Sequence, residues 1–207
     1  MGRILSRSFY DRETETVARE MLGAILECTT PEGTASGIIV ETEAYVGEND
    51  PACHAAVGRT QRTEPLYGKP GTSYVYFIYG VHWCFNAVTR GEGLPSAVLV
   101  RAIEPLDGIP LMKARRGAGI SAANLTNGPG KLCAALGIDG APNGLSLQRR
   151  PIVIREGEPV DEALVQVTPR IGITKATEWP LRYMIRGNPW VSGSRRTNTP
   201  SPRKATG

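Results

Sequence analysis

Two carboxylates and a phenol alternate in Ile38-Ile-Val-Glu-Thr-Glu-Ala-Tyr45. On a strand, every second side chain shares a face, so Glu41, Glu43 and Tyr45 line one side and Val40, Thr42 and Ala44 the other. Carboxylates two residues apart lie roughly 7 Å apart along the pleat. At that range they influence each other's proton affinity wherever water is excluded. An acid beside an aromatic ring suits proton transfer. An exposed strand face would read the same way, but the apolar Ile38-Ile39-Val40 run points to a strand that enters a core.

A second cluster is aromatic. The chain has 13 aromatic residues, and Tyr74, Tyr76, Phe77, Tyr79, Trp83 and Phe85 fall within twelve positions. Alternation puts Tyr74, Tyr76 and Ile78 on one face and Val75, Phe77 and Tyr79 on the other. Core packing is the default for such a stripe. Tyrosine on both faces, with Tyr79 beside Gly80 at a hairpin tip, also offers rings on which a nucleobase could stack, worth roughly 1–3 kcal/mol per base. Asn86 sits in the returning strand, where asparagine is disfavoured. It either faces solvent or aims a hydrogen-bonding group into a pocket.

Three further residues invite chemistry. His54, in Asp50-Pro-Ala-Cys-His54, is one of only two histidines. Arg101 interrupts the apolar run Ala97-Val-Leu-Val-Arg-Ala-Ile103 and must find an anion or reach water; pairing with Glu41 or Glu43 would be a structural outcome. Asn127-Gly-Pro-Gly-Lys131 precedes a helix and could grip a single phosphate. It lacks the spacing of a phosphate-binding loop.

The elements that must position these groups are mostly strands. Residues 13–26 carry a helical stripe (Val17, Ala18, Met21, Leu22, Ile25). Strands are expected at 24–29, 34–45, 94–103, 151–155, 164–168 and 181–186, and 72–89 forms a hairpin. Residues 107–130 read as loose. A short helix over 132–136 stops at Gly137. Short turns joining strands, with few helices between, favour an α+β fold: one mixed domain over residues 1–192 with a curved, largely antiparallel, open-barrel-like sheet and flanking helices. The basic segment from Val191, taken as a tail over 193–207, reads as disordered.

Composition narrows the function classes. In 207 residues, 24 Gly and 16 Pro suit turns and short strands better than a helical bundle. No apolar run approaches the roughly 18 residues of a membrane span. The start of the chain lacks a secretory pattern, so a cytoplasmic location is expected, with Cys28, Cys53, Cys84 and Cys133 reduced. No CxxC pair occurs, and two histidines argue against a metal cage. Net charge is +4, which permits a polyanionic partner without requiring one.

Taken together, the blocks Phe9-Tyr-Asp, Gly37-Ile-Ile-Val-Glu-Thr-Glu-Ala-Tyr45, Asp50-Pro-Ala-Cys-His54, Lys69-Pro-Gly-Thr-Ser-Tyr-Val-Tyr-Phe-Ile-Tyr-Gly80, Val100-Arg-Ala-Ile-Glu-Pro105, Gly128-Pro-Gly-Lys-Leu-Cys133 and Arg186-Gly-Asn-Pro-Trp-Val191 resemble the alkyladenine (3-methyladenine) DNA glycosylase family. They keep its order over about residues 8–192. The resemblance implies an enzyme without metal or organic cofactor; nothing in the sequence points beyond a monomer. Such an enzyme everts an alkylated or deaminated purine from double-stranded DNA and hydrolyses its N-glycosidic bond in base excision repair, which in a bacterium implies association with the nucleoid. On that likeness Glu43 is the general base, and Arg101 helps hold the water and the everted nucleotide. Tyr45 stacks on the base, while His54 and Tyr76 close the opposite side. Tyr79 fills the gap left in the duplex, Asn86 excludes the guanine 2-amino group, and Lys131 contacts a phosphate. With no lysine in the strand motifs, a lyase step is not expected. Two other readings of the residues stand beside this one: a carbohydrate hydrolase using Glu41 and Glu43 as an acid/base pair, and a non-catalytic nucleic-acid-binding module.

Overall fold

The computed structural model describes residues 2–193. The tail expected over 193–207 therefore lies, after Gly193, outside them. Two short helices, α1 (Arg7–Tyr10) and α2 (Thr14–Glu20), precede strands β1 (Ile25–Thr30) and β2 (Gly33–Tyr45). The hairpin β3 (Ser73–Ile78) and β4 (His82–Val88) leads to β5 (Ala97–Asp107), α3 (Ile109–Arg116) and α4 (Pro129–Leu136). Strands β6 (Ile152–Arg155), β7 (Val165–Thr168) and β8 (Arg182–Ile185) close the chain.

All strand pairs are antiparallel and belong to one eight-stranded sheet in the order β3-β4-β5-β2-β1-β6, with β8 added to β2 and β7 to β8. The sheet curls into a half-barrel, and the described residues form a single α+β domain, as expected. Strand β2 is the hinge of this arrangement. Its first half pairs with β1; its second half, from Glu41 to Glu43, pairs with β8 on one side and β5 on the other. The two candidate acids therefore stand on the most enclosed strand of the sheet.

Two irregularities in the β2–β5 ladder decide where side chains point. Ile39 faces Ile103 while Glu41 faces Ala102, so Val40 is extra on β2. Glu41 faces Ala102 while Thr42 faces Val100, so Arg101 is extra on β5. Bulges bend a strand and re-aim the unpaired residue. Arg101 is turned toward the carboxylates of β2, and Val40 leaves the expected alternation to pack with Ala102, Met184 and Val191. Thr42 and Ala44 keep to the far side as anticipated. Thr42 Oγ1 donates to the Ala18 carbonyl of α2 at 2.8 Å, and Ala44 joins the main core.

That core lies between the sheet and the helices. Val17, Ala18 and Met21 of the α2 region and Leu132, Cys133, Ala135 and Leu136 of α4 are fully buried with Leu26, Ile39, Phe85, Val100 and Ile103. Burying each large aliphatic side chain contributes roughly 1.5–3 kcal/mol. Four points depart from the sequence reading. The helix expected over 13–26 ends at Glu20, because Gly23 adopts a φ of 86° and Ile25 already belongs to β1. The strand expected over 94–103 runs from Ala97 to Asp107. Within the segment read as loose, Ile109–Arg116 is helical. Its Arg115 bonds to Glu32, Thr30 and the Ala135 carbonyl, pinning α3 to the β1–β2 turn and to α4. Val191 and Ser192, expected to begin a disordered tail, are instead buried.

Candidate active site

The hairpin β3–β4, the loop after β2 and the segment 172–175 enclose a cavity of about 540 Å³. Tyr45, His54, Tyr74, Tyr76, Tyr79 and Asn86 line it, with Arg62 and Lys175 among its cationic lining groups. Five of the eight residues singled out from sequence for a site are therefore in the wall. Glu43 lies one hydrogen bond behind it, through Tyr45, and Arg101 a second bond further, through Glu43. Lys131 is elsewhere, on α4, where Nζ donates to Asn127 Oδ1 at 2.8 Å.

Glu43 is fully buried. Its Oε2 accepts from the Tyr45 hydroxyl at 2.9 Å and from Arg101 Nη1 at 3.1 Å; its Oε1 accepts from the Ile171 N–H at 2.9 Å. An ionised carboxylate offers about four lone-pair sites. Three are used here, and one on Oε1 is left. Glu41 is different. Its Oε1 accepts from Arg101 Nε (2.9 Å), Arg182 Nε (2.6 Å) and Ser192 Oγ (2.8 Å), and its Oε2 accepts from the Ser192 N–H (2.6 Å). Glu41 is saturated. The two acids share a strand face but not a setting: Glu41 is locked by two arginines and Ser192, while Glu43 takes three donors, one of them the hydroxyl of the wall residue Tyr45.

The aromatic wall is rigidly held. His54 Nδ1 lies 2.8 Å from the Tyr74 hydroxyl, and the His54 ring meets Tyr76 edge-on at a centroid distance of 4.5 Å. Burial, and then the nearby Arg62 cation, hold the His54 pKa below its ordinary 6.5, so the ring is neutral at pH 7. Burial also pushes the Tyr74 hydroxyl up to about 12. The Tyr45 hydroxyl is raised by burial first and by Glu43 second. The wall therefore presents neutral rings. Asn86 is buried rather than facing solvent. Its Nδ2 donates to the Tyr74 carbonyl at 3.0 Å, which fixes the side-chain amide at the cavity surface.

Tyr79 corrects one expectation. Alternation assigned it to the Phe77 face, yet it lines the cavity mouth. The cause is its φ of 54°, a left-handed backbone that takes it out of the strand pattern. Gly80 follows at 68° and completes the turn. Tyr79 is 78% exposed, an isolated ring held outward at the tip. Phe77, on the opposite face, packs on Trp83 at a centroid distance of 4.7 Å. The tip end of the hairpin rests on α4: a Cβ added at Gly130 would meet His82, the first residue of β4, at 2.8 Å. Lys131 thus belongs to the flank that carries Tyr79.

Sequence reasoning missed Tyr74, Arg62, Arg170, Lys175, Arg182 and Ser192. Tyr74 was visible as a stripe member. Arg182 falls in the strand expected over 181–186, and the others stand in stretches with neither periodicity nor motif spacing; only the folded chain brings them to the site. Lys175 reaches the cavity from outside the strand motifs, on whose lack of lysine the expectation of no lyase step rested.

The fold is thus a curled antiparallel half-barrel whose buried carboxylate backs a ring-lined cavity, with a tyrosine raised at the rim. The model of the family described as "Methylpurine-DNA glycosylase (MPG)" matches residues 8–189. A Myxococcus xanthus protein named "Putative 3-methyladenine DNA glycosylase" is 46% identical over 191 residues, covering 91% of this chain and 93% of its own. Proteins of the same name from Salinibacter ruber (46% over 200 residues, 91% and 96% covered) and Methanoculleus marisnigri (47% over 192 residues, 91% and 98% covered) are similar to it as well. The chain belongs to the methylpurine-DNA glycosylase family, whose members are hydrolases acting on DNA.

Proposed function

We propose that this protein is a monofunctional DNA glycosylase. It everts an alkylated or deaminated purine from duplex DNA into the tyrosine-lined cavity and hydrolyses the N-glycosidic bond with a water activated by Glu43. The observation that carries this reading is the unequal pair of carboxylates. Glu43 retains one acceptor position beside the cavity wall, where a water could donate its proton. Glu41, held by four donors from Arg101, Arg182 and Ser192 and without the bond to a wall residue that Glu43 has through Tyr45, is not available as the second acid that a carbohydrate hydrolase of the paired type would need.

The remaining residues fit the steps. Eversion costs a few kcal/mol of lost stacking and pairing. Tyr79, already raised from the hairpin, occupies the space the base leaves. Tyr45 provides a ring for stacking, and His54 with Tyr76 closes the other side. The Tyr45 hydroxyl is bonded to Glu43, so its ring is fixed and its polar end satisfied. Arg101 holds Glu43 through Nη1 and helps orient the water and the nucleotide. The fixed Asn86 amide excludes the 2-amino group of guanine. Lys131 contacts a phosphate on the hairpin flank. The carboxylate also stabilises the positive charge that develops on the sugar as the bond breaks.

Incubation with duplexes carrying hypoxanthine, ethenoadenine or methylated adenine, followed by alkaline cleavage, should reveal abasic sites for at least one lesion. Binding without cleavage across the whole panel would leave only the nucleic-acid-binding module. Borohydride added during turnover should trap no covalent adduct, because Lys175 is exposed at the cavity and lacks the desolvation that activates Schiff-base lysines. Replacing Tyr79 by Ala should weaken affinity for lesion duplex by roughly 1–3 kcal/mol, measured by fluorescence anisotropy. An unchanged dissociation constant would remove it from the intercalating role.

A further inference from the structure

Two charged residues buried behind the cavity take no part in the chemistry above. Asp50 and Arg170 stand 120 residues apart in sequence, and both side chains are 0% exposed. Arg170 Nη2 donates to Asp50 Oδ1 at 2.8 Å, and Nη1 donates to Asp50 Oδ2 and to the Ala44 carbonyl. Arg170 Nε is buried without a partner. The guanidinium carbon lies 4.6 Å from the centroid of the Tyr45 ring. Asp50 also accepts from the N–H groups of Val46 (3.2 Å) and Ala52 (3.0 Å). The residue after Arg170 donates its N–H to Glu43. One ion pair thus ties together the end of β2, the loop leading to His54 and the strand of chain that holds Glu43.

A buried ion pair is a poor way to gain stability, since apolar residues of similar volume fill the same space without the desolvation penalty. What an apolar pair cannot do is control charge beneath an aromatic ring. Arg170 covers one face of Tyr45, so a base can stack only on the other. Adding a stacking separation of about 3.5 Å to the 4.6 Å behind the ring places the guanidinium roughly 8 Å from the base. Unneutralised, that charge would repel a purine made cationic by alkylation and leave a neutral purine largely unaffected.

We propose that Asp50 and Arg170 are a positioning pair with a second task in specificity. Arg170 holds the Tyr45 ring and the segment at Glu43, and Asp50 cancels its charge so that the ring accepts cationic as well as neutral purines. The inference rests on the cavity being the purine site.

The test compares kcat/KM for two bases, 3-methyladenine in methylated duplex (cationic) and hypoxanthine (neutral). Asp50→Asn should lower the cationic-to-neutral ratio about ten- to thirtyfold, the effect of two like charges roughly 8 Å apart in a partly buried setting. The double variant Asp50→Asn/Arg170→Gln should return the ratio to within a few fold of the parent, although both rates fall. If Asp50→Asn does not fold, as judged by circular dichroism, Arg170→Gln alone should shift the ratio the other way. A ratio that stays constant in every folded variant would reduce the pair to scaffolding and overturn the proposal. Release of neither base by the parent protein is a separate result: it would remove the purine site itself.

Discussion

Replacing Glu43 by Gln should lower base release by about 10²–10⁴-fold, the usual contribution of a positioned general base, or roughly 3–5 kcal/mol of barrier. Binding of lesion duplex should change by no more than a few fold, because Tyr45, His54, Tyr76 and Tyr79 are left in place. The substitution is close to isosteric, and its side effects can be counted. The amide keeps one oxygen, which can still accept from Arg101 Nη1 and the Tyr45 hydroxyl at the Oε2 position. Its NH₂ group then faces the Ile171 N–H, donor against donor, where Oε1 had accepted at 2.9 Å. One lost buried hydrogen bond costs about 1–3 kcal/mol, a few degrees of melting temperature in a domain of this size. Single-turnover release measured beside anisotropy titration and a thermal melt separates these effects. Normal release by a folded variant would take Glu43 out of the reaction.

Why that residue could be found from sequence at all, and others could not, follows from how each is positioned. Glu43 and Tyr45 sit on a long strand whose alternation survives, so their shared face was readable from a two-residue spacing. The β3–β4 hairpin was equally legible, since β-branched and aromatic residues run up to a glycine turn. Arg101 was conspicuous as a charge in an apolar run, but its aim depends on a bulge that changes the β2–β5 register. No local pattern announces such a slip. Tyr79 was assigned to the wrong face for a related reason, its left-handed backbone. Arg170 and Ser192 are further from reach: they act from irregular segments 126 and 151 residues beyond the strand residues they bond. The α3 helix hid behind Gly108, Pro110 and a basic pair, all of which read as loop. Its order comes from Arg115 contacts with distant elements.

The expected behaviour of Glu41 is the counterpart of that of Glu43. Replacing Glu41 by Gln should destabilise the fold by about 3–5 kcal/mol, the range for removing one partner of a buried ion pair, and lower the melting temperature by roughly 10 °C. The buried cluster now holds two cations, Arg101 and Arg182, against two anions, Glu41 and Glu43. Both arginines bond to Glu41 Oε1 through their Nε atoms, while only Arg101 also reaches Glu43. Without the Glu41 charge, Arg182 is left with the Ser192 carbonyl at 3.0 Å and a long contact to Thr168, acceptors that carry no full charge. The Ser192 N–H would lose its carboxylate as well, loosening the last described turn of the chain from β2. Glu43→Gln spares Arg182 entirely and leaves Arg101 its bond to Glu41, so its melting point should stay much nearer that of the parent. Differential scanning calorimetry on the two variants reads the contrast directly. Equal melting temperatures would mean that the four-residue cluster does not divide into a structural acid and a chemical one, and the unequal hydrogen-bond count would then have no energetic consequence.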